Sequence, residues 1–459
     1  MNKELVVSVK DFGAVSGSTE LQSAAIQKAL DHVFFAGGGE VVIPEGVYRV
    51  GGIRIRSNTT LHLLENAVLE GSRNIEDYSI LKNDTVEPVD PDQLDDSCWE
   101  RVGGAPKMLH KWASRWHNGI IRALDAENIA IIGEKGSLID GKNCYDALGE
   151  EYYRGPQGIS IINCEHIVLR GYTARNTGNW AESIWNSSNI LVENVINEAG
   201  HDGVHITTCE DVIIRNCEFY TGDDCVAGYN NKNVLVENCE INSACSAFRF
   251  SGTNVLIHHC HMFAPPKYLF RGRLTTEEKA AGIMANEGEY YKTEKRSMLS
   301  VFTYYAELAT EIYNLGTNIV IRDCLVENAD RFLHFNYSGN ETWQTNKPML
   351  DIKFENIKAS GIAMPLTAYG DAELPVTVAL ENIEFSFKEG CENTTFIRAA
   401  NYRKLRLKNV KVLNGTCDHL IKSWDLEKKG EIELIDVECG ISEENRVVYT
   451  DEDFFCKAI

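Results

Sequence analysis

The chain has 459 residues, a formal net charge of −22, 44% hydrophobic and 24% charged residues. That charge argues against a nucleic acid partner, and against long polyanionic chains unless a local basic patch overrides it. No stretch approaches the roughly 20 apolar residues of a membrane span, and Met1-Asn-Lys-Glu-Leu-Val-Val has neither a long apolar run nor a cleavage site, so a cytoplasmic location without membrane partners is expected.

In chain order, the first clear element is an amphipathic helix over residues 19–35, opened by Ser18 or Thr19 as N-cap and closed by Gly37-Gly-Gly. It is expected to cap the open end of a repeat structure. Residues 85–118 are irregular and polar, with Pro88, Pro91, Trp99, Trp112 and Trp116. A repeat then begins. His166-Ile-Val-Leu-Arg is followed by Asn189-Ile-Leu-Val-Glu-Asn, Asp211-Val-Ile-Ile-Arg-Asn, Asn233-Val-Leu-Val-Glu-Asn and Asn254-Val-Leu-Ile-His-His, in steps of 23, 22, 22 and 21 residues. Asn318-Ile-Val-Ile-Arg-Asp resumes it, and units at Asp351, Leu405 and Glu431 carry it toward the C-terminus.

Each unit alternates apolar and polar residues and opens on a turn residue, as a strand with one buried face does. One such strand cannot bury that face alone, whereas stacked coils can. The fold expected is all-β: a single-stranded right-handed parallel β-helix forming one domain over 1–459. A second break, residues 263–315, holds a helix-like Leu274-Thr-Thr-Glu-Glu-Lys-Ala-Ala and the tyrosines Tyr290, Tyr291, Tyr304 and Tyr305. Long excursions of this kind commonly border a cleft. Cys217, Cys239, Cys260 and Cys324 hold one repeat position, which suits small buried residues and free thiols better than disulfides.

Alignment of the repeats stacks side chains. Trp180, Asp202 and Asp224 each lie nine residues before a repeat start, and Asn179, His201 and Asp223 one residue earlier. Three carboxylates and a histidine therefore converge. Single Asp-Gly turns are ordinary, but a stack of like charges is electrostatically unfavourable and points to chemistry. Glycosidic hydrolysis needs one protonated carboxylic acid and one ionised carboxylate near a water.

The chain carries Asp11-Phe-Gly-Ala-Val, Ala24-Ala-Ile-Gln-Lys-Ala-Leu, Gly37-Gly-Gly-Glu-Val-Val-Ile-Pro-Glu-Gly-Val-Tyr, Leu138-Ile-Asp-Gly, Asn176-Thr-Gly-Asn-Trp, His201-Asp-Gly-Val and Gly222-Asp-Asp-Cys-Val-Ala. These motifs resemble those of glycoside hydrolase family 28, the polygalacturonase family with a pectin-lyase-like solenoid. The likeness covers about residues 8–262. It implies an inverting hydrolase on a plant-derived carbohydrate, with Asp223 as general acid, Asp202 and Asp224 holding the attacking water, and no cofactor or metal.

The family's Gly-His-Gly and Arg-x-Lys motifs are missing, which moves the expected substrate away from ordinary polygalacturonan and toward exo-acting cleavage of a pectin-related chain. Aligning the next coil places Arg249 in a column with Ala227 and His205, so His205 and Arg249 are candidate substrate ligands. His201 and Trp180 belong to the same patch. Arg271, Arg273 and Lys267 follow in the excursion and could replace the lost Arg-x-Lys pair. Tyr152, Tyr153 and Arg154 are candidates for the cleft rim. A lyase or epimerase on the same scaffold, where the acidic cluster could hold Ca²⁺, and a non-catalytic carbohydrate-binding solenoid are the alternatives.

Overall fold

The computed structural model describes residues 5–78, 101–102, 105–106, 115–284, 286–293, 297–306, 314–338, 347–392, 394–415, 417–424 and 430–450. The chain forms two compact units, the first from residues 1–102, 106–227 and 267–295, the second from 103–105, 228–266 and 296–459. Both are wound as parallel β-helix coils. Most of the irregular segment 85–118, including Trp99 and Trp112, lies outside the described residues.

In the first unit the sequence starts the helix α1 at Ser23 and ends it at Phe35 (Ser23–Phe35), burying Ile26, Ala29, Leu30 and Val33. It begins four residues later than the 19–35 expected from the pattern, and Gln22 is the N-cap without a side-chain capping bond to the helix. The reason is local competition: Gln22 N–H donates to Arg49 O at 2.7 Å, and its side chain accepts from Val15 N at 2.8 Å and donates to Glu20 O at 2.7 Å. Those bonds tie residues 15–22 to the coil in place of a helical turn. At the other end Gly38 (φ +115°) is required, because a Cβ there would lie 2.5 Å from Asn58 O.

Three strands make each coil near the acidic turns. One coil comprises β1 (Gln157–Ile162), β2 (Glu165–Arg170) and β3 (Thr173–Arg175). The next has β4 (Glu182–Trp185), β5 (Ser188–Glu193) and β6 (Ile196–Ala199). A third has β7 (Val204–Thr207), β8 (Glu210–Arg215) and β9 (Glu218–Thr221). Each strand pairs in parallel with its counterpart one coil on, as in Ile184↔Ile206, Ile190↔Val212 and Asn197↔Phe219. Ile190, Val192, Val212 and Ile214 point inward and are buried, each contributing about 1.5–3 kcal/mol by leaving water.

The corners explain the repeat's asparagines. His166, Asn189 and Asp211 have φ of 58°, 55° and 57°, and Asn194 and Asn216 have 54°. Left-handed backbone costs most L-residues roughly 1–2 kcal/mol, and Asn and Asp tolerate it best after glycine.

The second unit repeats the logic with longer strands: Thr317–Asn336, Asp351–Tyr369, Val376–Phe387, Tyr402–Val412 and Glu431–Glu438. They stack in parallel, as Phe354↔Leu380 and Leu380↔Leu407 illustrate. Here the corner amides bond each other coil to coil. Asn356 donates to Asp323 at 2.9 Å, Asn382 to Asn356 at 2.9 Å and Asn409 to Asn382 at 2.9 Å.

Twelve cysteines are described and all are free, ten of them buried. No helix among the described residues is long and apolar enough to cross a membrane. Of the second excursion, Thr276–Ala281 forms the expected helix, with a Thr275/Glu278 capping box and Gly282 as left-handed C-cap.

The corner ladder gives a test. Asn356→Ala loses two amide bonds and forces a left-handed alanine, so it should lower unfolding free energy by about 2–3 kcal/mol. Asn356→Gly, free of the backbone penalty, should lose roughly 1 kcal/mol. Urea denaturation of the two variants distinguishes backbone from side-chain contributions.

Candidate functional site

The acidic residues occupy the turns that enter β7 and that follow β9, and the coil register stacks those turns. Ala181 N–H donates to Asp202 O at 3.0 Å, and Gly203 N–H to Asp224 O at 3.0 Å. Trp180, Asp202 and Asp224 therefore form a column, with His201 and Asp223 one residue earlier on each turn. Gly222 has no room for a side chain: a Cβ would sit 2.1 Å from Leu269 O of the excursion.

Asp202 (4% exposed) and Asp224 (1%) are buried. Asp202 Oδ2 lies 2.9 Å from His205 Nδ1, and Asp202 Oδ1 accepts from Asp224 N–H at 3.3 Å. The His205 ring lies flat on Trp180, centroids 3.6 Å apart and planes 4° from parallel. Trp180 meets Trp116 edge to face at 5.1 Å. Trp180 is thus packed between His205 and Trp116, and its main work in this structure is to fix the imidazole that touches Asp202.

Asp223 differs, with a side chain 17% exposed and Oδ2 3.5 Å from Arg154 Nη2. Arg154 is the hub of the site. Its Nε lies 3.1 Å from Glu151 and 3.4 Å from Glu150, and its Nη1 donates to Asn179 Oδ1 at 3.2 Å. Burial works against the guanidinium's charge, yet Glu150, Glu151 and Asp223 hold its pKa well above the ordinary value. Burial pushes Glu150 up to about 8, with Glu151, Asp202 and Asp223 adding to the rise and Arg154 opposing it. The loop that presents these groups carries Glu151 (φ 53°) and Tyr152 (φ 62°) in left-handed conformation, a local strain of the kind concentrated at functional sites.

His201 is fully buried, stacked on Tyr153 at 5.7 Å and edge-on to Phe270 at 5.9 Å. Burial first, then Arg154, Arg271 and Lys279, keep it neutral, its pKa well below the ordinary value. Below the acidic turns, Glu182 of β4 is also fully buried. It accepts from Tyr172 Oη at 3.0 Å and Asn197 Nδ2 at 2.7 Å, and burial raises it to about 7.

The basic candidates separate. Arg271 is wholly buried. Its guanidinium donates to Asn143 O at 2.6 Å and Gly178 O at 3.0 Å, while its own N–H reaches Gly200 O at 2.9 Å. It pins the excursion to the coils, and burial lowers its pKa to about 10. Arg273 is exposed, and Lys267 holds its ammonium 3.3 Å from the Tyr220 ring centroid. Arg249 belongs to the second unit, its guanidinium 4.2 Å over Tyr305.

Spacing alone did not mark Arg154 and Glu150 as central. They lie in a loop outside the repeat, and the only sequence signal was charge complementarity at i,i+3 and i,i+4.

Residues 118–264 match the family model described as the right handed beta helix region. The chain is 23% identical over 256 residues to an exo-poly-alpha-D-galacturonosidase of Dickeya chrysanthemi, an alignment covering 48% of this chain and 41% of that protein. The chain thus spans less than half the length of this curated relative. It is 42% identical over 65 residues, 14% of this chain and 6% of the other, to the mannuronan C5-epimerase AlgE5 of Azotobacter vinelandii. Among solved structures, the family 28 exopolygalacturonase of Yersinia enterocolitica superposes with a TM-score of 0.61 at 16% identity, covering 95% of this chain and 78% of that one. That superposition establishes the fold, a right-handed parallel β-helix.

Two outcomes follow from the buried charges. Arg154→Ala strands Glu151 and Asp223 without their counter-charge and should destabilise the protein by about 3–5 kcal/mol; adding Glu151→Gln should recover part of the loss in chemical denaturation. Glu182 holds its proton to about 7 when folded against an ordinary 4.5, so the folded state binds the extra proton between those values. Stability should fall by roughly 3 kcal/mol as pH rises from about 4.5 to about 7 and then level off. Glu182→Gln should flatten that slope in urea titrations across the range.

Proposed function

We propose that this chain is an inverting glycoside hydrolase, polygalacturonase-like but not a typical polygalacturonase, that cleaves a pectin-related plant-cell-wall oligo- or polysaccharide from a chain end. The carrying observation is the unequal burial of three stacked carboxylates. Asp202 and Asp224 are nearly sealed, while Asp223 alone keeps a substantial open edge. A general acid must touch the glycosidic oxygen, and Asp223 can. A carboxylate pair set back from the surface suits a water held for attack on the anomeric carbon.

In this reading Asp223 gives its proton to the leaving oxygen, and the water between Asp202 and Asp224 attacks from the opposite face as one of them takes its proton. The configuration at the anomeric carbon inverts. His205 holds Asp202 in place through Nδ1, and Arg154 orients the Asp223 carboxyl group through Nη2. The similarity to exo-acting galacturonan hydrolases supports the substrate class and end-wise action.

A second reading has one specific support, the short match to a mannuronan C5-epimerase. Epimerisation or elimination would abstract the proton at sugar C5, and elimination would leave an unsaturated product. A panel of plant oligosaccharides followed by NMR decides. A new reducing end of inverted configuration supports hydrolysis, whereas a C5-inverted or unsaturated sugar overturns it. Asp223→Asn should lower kcat by roughly a hundred- to ten-thousand-fold with little change in KM; full activity in that variant would remove Asp223 from the acid role.

A further inference from the structure

The second unit contains a cationic column that the acidic turns do not use. Parallel register aligns Arg249, Thr303, His334, Thr367, Arg398 and Lys422 on successive coils. With strands about 4.8 Å apart, the column is about 24 Å long. Aromatic rings accompany it: Arg249 lies 4.2 Å over Tyr305, and Lys422 lies 5.2 Å over Trp424, which meets Tyr369 edge to face at 6.0 Å.

Its centre is electrostatically unfinished. Arg331 Nη1 donates to His334 Nδ1 at 2.9 Å, so that ring nitrogen accepts, since a guanidinium only donates. Arg398 forms no ion pair with any described carboxylate, and its Nε is buried without a partner. Burial and the neighbouring Arg398 charge both lower the Arg331 pKa, against Asp330 and Tyr369. The Asp330 carboxylate is already engaged by Ser297 Oγ and, at 3.7 Å, by Lys388.

Elsewhere in the same unit cations are matched. Lys353 meets Glu381 at 2.9 Å, Lys404 meets Glu433 at 2.7 Å and Arg406 meets Glu381 at 3.3 Å. In a chain with 67 acidic and 45 basic residues, two half-buried arginines side by side with no paired carboxylate make an unfavourable arrangement that an external anion would relieve.

We infer that the Arg331–His334–Arg398 corner of the second unit binds the carboxylate of an acidic sugar residue, with Trp424 offering the sugar ring an apolar face. Guanidinium forks match a carboxylate's two oxygens, and cations set beside half-buried aromatic rings such as Tyr305 and Trp424 suit a charged ring better than a bare ion. The site takes its sugar from the carbohydrate reading above, but it needs no turnover, so failure of either leaves the other standing.

Calorimetry and the Trp424 indole N–H signal test it on the full chain in the Asp223→Asn background. The probes are a galacturonate oligomer, its neutral methyl ester, inorganic sulfate and single-stranded DNA at matched ionic strength. The acidic oligomer should shift the Trp424 signal and bind at least about ten-fold more tightly than the ester, and Arg398→Ala should weaken it by roughly ten-fold or more. Arg398→Lys should keep part of the affinity, which separates charge from folding defects. Equal binding of the ester, sulfate or DNA, or an Arg398→Ala variant that binds as tightly, overturns the assignment.

Discussion

Parallel pairing of each strand with its counterpart one coil on is the constraint everything else depends on. It can persist only if every coil returns the chain to the same point, and the corners ensure that. Asn189, Asp211, Asn356 and Asn382 take left-handed backbone, a conformation their short polar side chains tolerate. In the second unit the same amides bond along the stack. Inward valines and isoleucines then superpose without further specification, and so do whatever residues the turns carry. The convergence of Asp202 and Asp224 is a by-product of that return, because Gly203 N–H bonds Asp224 O as part of the ladder.

A solenoid that stacks identical positions also stacks charge, and the first unit handles this by two devices. One is a single guanidinium: Arg154 touches Glu150, Glu151 and Asp223. The other is proton retention, with Glu182 raised to about 7 and Glu150 to about 8. Near neutral pH the formal charge of −22 therefore overstates the negative charge beside the acidic turns. His205, clamped on Trp180, completes the local order.

Much of this was legible in the sequence. A constant step with asparagine corners fixes the coil, and counting back from each repeat start puts 180, 202 and 224 in one column, where the backbone ladder has them. Legibility ended where residues leave the repeat. The helix start moved from 19 to Ser23 because Gln22 bonds Arg49 and Val15 across the fold, partners no local propensity contains. Arg154 sits in a loop between coils, so no register could aim it at Asp223. Arg271 read as a candidate to replace the lost Arg-x-Lys pair, yet its bonds are to main-chain carbonyls of residues 143 and 178, invisible until the excursion is seen to fold back. The unmatched arginines of the second unit were equally hidden, since pairing is a property of neighbours in space.

The free cysteines, described above only as fillers of the core, make the molecule self-reporting. Burial raises Cys164 to about 11 and Cys144, Cys209 and Cys417 to about 12, so hardly any thiolate exists in the closed state at neutral pH. Only the thiolate reacts with alkylating reagents. Labelling at these four positions thus waits for the local coil to open, and its rate reads the free energy of that opening. Because the thiols are spread along both units, their labelling rates amount to a built-in map of where the winding first comes undone.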